Sequence, residues 1–117
     1  LIELICEEIP DIAIYCRGGQ IIQTLLNLIN NSIDALENLS KKWIRIEFKL
    51  IQNHILISVI DSGIGLPSEI KDKIMNPFFT TKEVGKGTGL GLFISWSLIE
   101  SNGGKLYLDP QNKNSVL

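Results

Sequence analysis

Histidine is almost missing from this 117-residue chain, which holds one, His54, and cysteine is scarce, with Cys6 and Cys16 far apart and in no C-x-x-C pair. That spacing excludes zinc and haem chemistry. Two thiols in β-prone runs are expected to be buried and unpaired, as in a reducing compartment. No excess of positive charge is present: 11 Lys and Arg stand against 13 Asp and Glu, a formal net charge of −2. A nucleic-acid surface built on bulk charge is therefore excluded. No apolar run approaches the roughly 18 residues of a membrane span, and no signal peptide is recognisable. The expectation is a cytoplasmic domain without membrane contact of its own, whatever anchors its parent. An initiating Met is also lacking, and the chain opens inside a β-prone run, so residues 1–117 are expected to be one domain cut from a larger protein.

What is present is ordinary for a globular domain, 44% apolar and 21% charged residues, enough to bury roughly two-thirds of the unfolded surface. Leu1 to Glu7 and Ile12 to Cys16 read as short strands separated by a turn at Ile9-Pro10-Asp11. From about Gln20 to Leu39, Ile22, Leu25, Leu26, Ile29, Ile33 and Leu36 recur at three- and four-residue steps and predict an amphipathic helix with those residues as its core face. Asn27, Asn31, Asp34 and Asn38 then share the side away from that face. A solvated stripe is one reading. The other is a ligand set, because Asn is a poor helix former and its carbonyl is a neutral oxygen ligand for Mg²⁺. Trp43 to Leu50 alternates as a half-buried strand, and Ile55 to Ile60 forms a second, so the two predict a hairpin in the middle of a sheet. His54, at its turn, reads as a surface residue.

The central stretch follows as D-S-G-I-G-L-P, then N-P-F-F-T-T-K, then G-K-G-T-G-L-G-L. Asp61, at the end of a strand, caps the turn Ser62-Gly63-Ile64-Gly65 on one reading, and accepts a hydrogen bond from a base amino group on the other. Pro67 to about Lys73 suits a short helix, and Asn76 to Gly87 a functional loop. Glycines at 85, 87, 89 and 91 fit neither G-x-x-x-x-G-K-[ST] nor G-x-G-x-x-G, which excludes both familiar phosphate motifs. They lead into a helix from about Thr88 to Glu100, whose first turn offers free N–H groups and a positive dipole end to phosphate. This helix is apolar nearly all round, and its surface near Trp96 is expected to offer itself to a partner domain. Lys105 to Asp109 and Ser115 to Leu117 read as the last strands.

Four motifs in order, Gln23 to Leu36, Asp61 to Gly65, Pro77 to Lys82 and Gly85 to Leu92, together resemble the ATP-binding catalytic domain of bacterial sensor histidine kinases, within the wider family of gyrase, MutL and Hsp90. The resemblance implies an α/β two-layer sandwich of the Bergerat type, a mixed, mostly antiparallel sheet with about three helices on one face and ATP under a lid. Asn31 then matches the Mg²⁺-coordinating residue, with Asn27 beside it as a catalytic residue, and Asp61 the adenine-reading carboxylate, with Gly63 and Gly65 against the base. Thr81, Lys82, Lys86, Gly87, Thr88, Gly89, Leu90 and Gly91 match the phosphate-holding lid and helix start, and Ser115 a hydroxyl beside the adenine.

Hydrolysing relatives carry a Glu where this chain has Asn27. The resemblance therefore implies ATP held for transfer and not spent on water. Asp34 and Ala35 depart from many sensor kinases and look closer to the nitrogen-regulation type. The implied partners are the parent's own helical histidine and dimerisation domain, making the parent a homodimer, and a response-regulator receiver domain. No nucleic acid is implied. A nucleotide-binding regulatory module and an anti-sigma-type serine kinase are the alternatives that share the fold.

Overall fold

In the computed structural model, which describes residues 1–65, 73, 76, 90–108 and 115–116, the chain runs β1 (Glu3–Cys6), α1 (Gly18–Ala35), β2 (Trp43–Ile51), β3 (His54–Asp61), α2 (Gly91–Ser101) and β4 (Ser115–Val116). The strands form one sheet in the order β1-β2-β3-β4. β1 is parallel to β2, and the β2–β3 and β3–β4 pairs are antiparallel. The mixed, mostly antiparallel sheet and the central hairpin expected from the alternation are both present. Gln52, with φ 52°, takes the left-handed conformation that the tight turn between β2 and β3 requires.

Strand alternation decides where the core lies. Ile44 pairs with Asp61 and Ile46 with Val59, so these four residues share one face. Leu28 and Leu36 of α1 pack there against Ile44, Val59 and Leu106, with Leu92 and Ile99 of α2 at the margin. Both helices therefore cover the same face. On the opposite face, the Arg45 guanidinium lies 5.3 Å from the centre of the Trp43 ring, and its Nε is 2.9 Å from Glu47 Oε1.

Several expectations are corrected. The buried stripe of α1 is Thr24, Leu28 and Ser32, continued by Leu36, whereas Ile22, Leu26 and Ile33 are 60%, 54% and 41% exposed. Three- and four-residue spacing identifies a helix but leaves its rotation open within a broad apolar arc. Here the polar Thr24 and Ser32 lie on the inward side with Leu28. The outer flank looks over β1, and a shallow hollow of about 460 Å³ opens there between Ile2, Ile33, Asp34, Glu37 and Lys42.

Ile12 to Cys16 is not a strand, and Ile12, Ile14 and Tyr15 are exposed. β propensity needs a paired, half-buried surface, and this run reaches α1 without one. In the expected strand from Lys105, only Leu108 bridges to a neighbour among the described residues. Cys6 is exposed and Cys16 half-buried, both as free thiols, so neither is the buried core thiol expected. The short helix expected from Pro67 lies, apart from its last residue Lys73, outside the described residues, as do the loop (Asn76 excepted) and the first glycines before Leu90.

Candidate nucleotide site

Asp61 ends β3, a central strand, on the core face beside the fully buried Ile44, and is itself only 9% exposed. A carboxylate so placed needs donors, and the following turn supplies one: the Gly63 N–H donates to Asp61 Oδ1 at 2.8 Å. The turn is pinned from the other side by Ser62, whose N–H donates to the Trp43 carbonyl at 3.0 Å and whose hydroxyl donates to the Lys41 carbonyl and accepts from the Trp43 N–H, both at 3.0 Å. Gly63 is required by space, since a Cβ there would stand 2.7 Å from Asp61 Oδ1. Gly65 is required by conformation, with φ 81°. With Oδ1 engaged, Oδ2 carries the carboxylate's main remaining acceptor capacity, as a group reading a base amino hydrogen must.

The second part of the site lies between the two helices. Asn102, just past α2, accepts the Arg17 N–H through Oδ1 at 2.8 Å and donates through Nδ2 to Gln20 Oε1 at 2.8 Å, fixing the start of α1 to the end of α2. Farther along, Asn27 Nδ2 donates to Ser95 Oγ at 3.2 Å. These contacts share one antiparallel register. Carried one turn further, at 1.5 Å per residue on each helix, it brings Asn31 level with Gly91, where α2 begins. Leu36 closes the other end, its Cδ2 lying 3.9 Å from the Cβ position of Gly63. Asn31 stands five residues before Leu36, or about 7.5 Å of helix. One helix thus spans from the Asp61 turn to the start of α2.

Asn27 and Asn31 are both half-buried and Asn27 is held against α2, whereas Asp34 and Asn38 are exposed, so only part of the polar stripe is a solvated face. Leu90 precedes α2 without a side-chain cap, and its carbonyl accepts the Ile94 N–H at 2.8 Å. Among the described residues, a Cβ on Gly91 would meet nothing within 4 Å. The backbone of Ser115 pairs with Ile60, beside Asp61. Thr81, Lys82, Lys86, Gly87, Thr88 and Gly89 lie outside the described residues.

Sequence reasoning missed Ser95. It is completely buried within a largely apolar helix while Ile94 and Trp96 beside it are 37% and 39% exposed. A polar residue four positions after the last glycine of the box was the available signal. The exposed Trp96, 6.0 Å from the Phe93 ring between centroids, agrees with the surface expected there.

Among the described residues no three His, Cys, Asp or Glu side chains gather as a metal cage. A Mg²⁺ ion here would be held by Asn oxygens together with phosphate, and the donor set of Asn27 and Asn31 fits that arrangement.

The sequence profile of the histidine kinase-, DNA gyrase B- and HSP90-like ATPases matches residues 17–116. Sporulation kinase E of Bacillus subtilis (strain 168) is 35% identical over 105 residues, covering 90% of this chain and 14% of that protein. The nitrogen regulation protein NtrY of Azorhizobium caulinodans is 35% identical over 92 residues, covering 74% of this chain and 12% of that protein. The chain therefore spans only a small part of these relatives, and their equal identity singles out no nitrogen-regulation subtype. Among solved structures, the catalytic domain of histidine kinase ThkA superposes with a TM-score of 0.81 at 34% identity, covering 98% of this chain and 76% of that one. ThkA in complex with the response regulator protein TrrA gives 0.75 at 28% identity, covering 98% of this chain and 32% of that one.

Proposed function

Because the chain belongs to the family of histidine kinase-, DNA gyrase B- and HSP90-like ATPases, we propose that it binds ATP with Mg²⁺ and supplies the γ-phosphoryl group to a histidine on a separate helical dimerisation domain, from which a response regulator takes it. The observation that carries this reading is the pairing of a nearly buried Asp61, engaged by Gly63 N–H, with Asn27 and Asn31 on the helix that closes over it. Asp61 selects adenine through its free acceptor capacity, and Gly63 and Gly65 keep side chains out of the plane of the base. Asn31 and Asn27 supply neutral oxygens toward the phosphates, and bound Mg²⁺ would neutralise charge on the β- and γ-phosphoryl oxygens. The start of α2 directs N–H groups to the same phosphates, with Lys82, Lys86 and Thr88 as their expected companions.

Transfer, not hydrolysis, follows from Asn27. An amide cannot take a proton from water, so the position lacks the base that a hydrolysing enzyme needs. No helix among the described residues is long and apolar enough to cross a membrane, and the proposed setting is the cytoplasm.

The test is calorimetric titration of the chain with ATP, with and without Mg²⁺, and with GTP as control. ATP binding strengthened by Mg²⁺ and absent with GTP is expected. Equal binding of GTP would remove the role given to Asp61, and a metal-independent affinity would remove the one given to the Asn pair.

A further inference from the structure

We infer that Ser95 is a positioning residue that fixes the amide of Asn27, and that through it α2 controls the metal-dependent part of nucleotide binding; this rests on the function proposed above. Ser95 is completely buried, and its hydroxyl oxygen accepts a hydrogen bond from Asn27 Nδ2. An Asn amide is planar, and its two ends have opposite hydrogen-bonding character. If the NH₂ end is held by α2, the carbonyl end is what Asn27 offers elsewhere. If the amide were free to turn over, half its orientations would present N–H donors to a cation, which repels them. A buried acceptor on the neighbouring helix is thus an economical way to keep an oxygen directed at the metal and phosphate side.

The surroundings support this assignment. Thr24 and Ser95 are both buried, and Thr24 satisfies its own hydroxyl on the Gln20 carbonyl at 3.0 Å. Asn102 and Gln20 already fasten the helices at their far end. A hydroxyl at position 95 is therefore not needed to join the helices, and an apolar residue there would pack as well. Its distinct effect is on the amide it faces. Because α2 begins only four residues earlier, at Gly91, any shift of that helix start on phosphate binding is carried to Asn27 within about one turn.

The experiment is a double-mutant cycle on the whole chain, using Ser95→Ala, Asn27→Ala and both together, with ATP affinity measured with and without Mg²⁺ and the thermal midpoint recorded for each. Alanine keeps the helix and removes only the hydroxyl. Ser95→Ala is expected to weaken Mg²⁺–ATP binding by about three- to tenfold, to leave Mg²⁺-free ATP binding unchanged, and to add nothing in the Asn27→Ala background. Additive losses, an equal loss without metal, or no loss at all would each overturn the inference. Failure of the parent chain itself to show a Mg²⁺ effect would instead overturn the proposed function, and is read before any variant is made.

Discussion

The two oxygens of Asp61 have different surroundings. One accepts the Gly63 N–H at 2.8 Å, which holds the carboxyl plane still. Asp61→Asn removes the charge that a base amino group meets and leaves the size unchanged. Its expected cost is about 1.5–3 kcal/mol of ATP affinity, or roughly ten- to a hundredfold in Kd. Calorimetry would show it, and an unaltered Kd would mean that the base is read elsewhere. Gly63→Ala attacks the same group indirectly, because the added methyl would stand 2.7 Å from Asp61 Oδ1. Something must move, and the cost in stability is expected at about 1–3 kcal/mol, with ATP affinity falling alongside. A variant that keeps both intact would show that the turn relaxes without disturbing the carboxylate. Both glycines were legible in the sequence as places for close approach, and the Gly63–Asp61 bond is the turn cap that was one reading of Asp61; the crowding of Gly63 against that carboxylate was not legible, because it depends on how the chain folds back after the strand.

At the scale of elements, the sequence shows that α1 is a helix more clearly than which way it faces. Apolar residues on Ile22, Leu26 and Ile33 match the helical period as well as those on Leu25, Leu28 and Leu36 do, and only the sheet and α2 decide between them. The consequence is an asymmetry in tolerance. Leu36→Ala empties a site with no exposure and is expected to cost about 2–5 kcal/mol, whereas Leu26→Gln alters a half-exposed flank and is expected to change stability by no more than about 0.5 kcal/mol. Urea denaturation of the two variants checks this, and a large loss from Leu26→Gln would mean that the flank is covered. The last strands were less legible for a related reason: Lys105 to Leu108 has strand-like residues, yet Leu106 contributes to the core without the segment joining the ladder for its length. The central hairpin was legible throughout, since a period of two has no rotational ambiguity.

For the whole molecule the question is whether the chain is sufficient for phosphoryl transfer. Its single histidine, His54, starts β3 opposite Ile51, and Asp61 ends the same strand opposite Ile44. Seven residue steps separate them, or about 24 Å at 3.4 Å per residue. His54 is thus at the far end of the sheet from Asp61, the carboxylate proposed to hold the base. An ATP molecule read by Asp61 and held at the start of α2 cannot bring its γ-phosphoryl group to His54 in the same chain, since transfer requires the reacting atoms within about 3–3.5 Å. The chain alone, given ATP and Mg²⁺, is therefore expected to accumulate no acid-labile phosphohistidine. Adding the parent's helical histidine-bearing domain as a separate polypeptide is expected to yield phosphohistidine on that partner. Its rate should rise with partner concentration until the two are docked. His54→Ala is expected to change neither result. Phosphohistidine on the isolated chain, lost in His54→Ala, would show that the acceptor is internal after all and that two copies exchange phosphoryl groups across their hairpin ends. Radiolabelled ATP with acid and alkali treatment distinguishes the two outcomes directly.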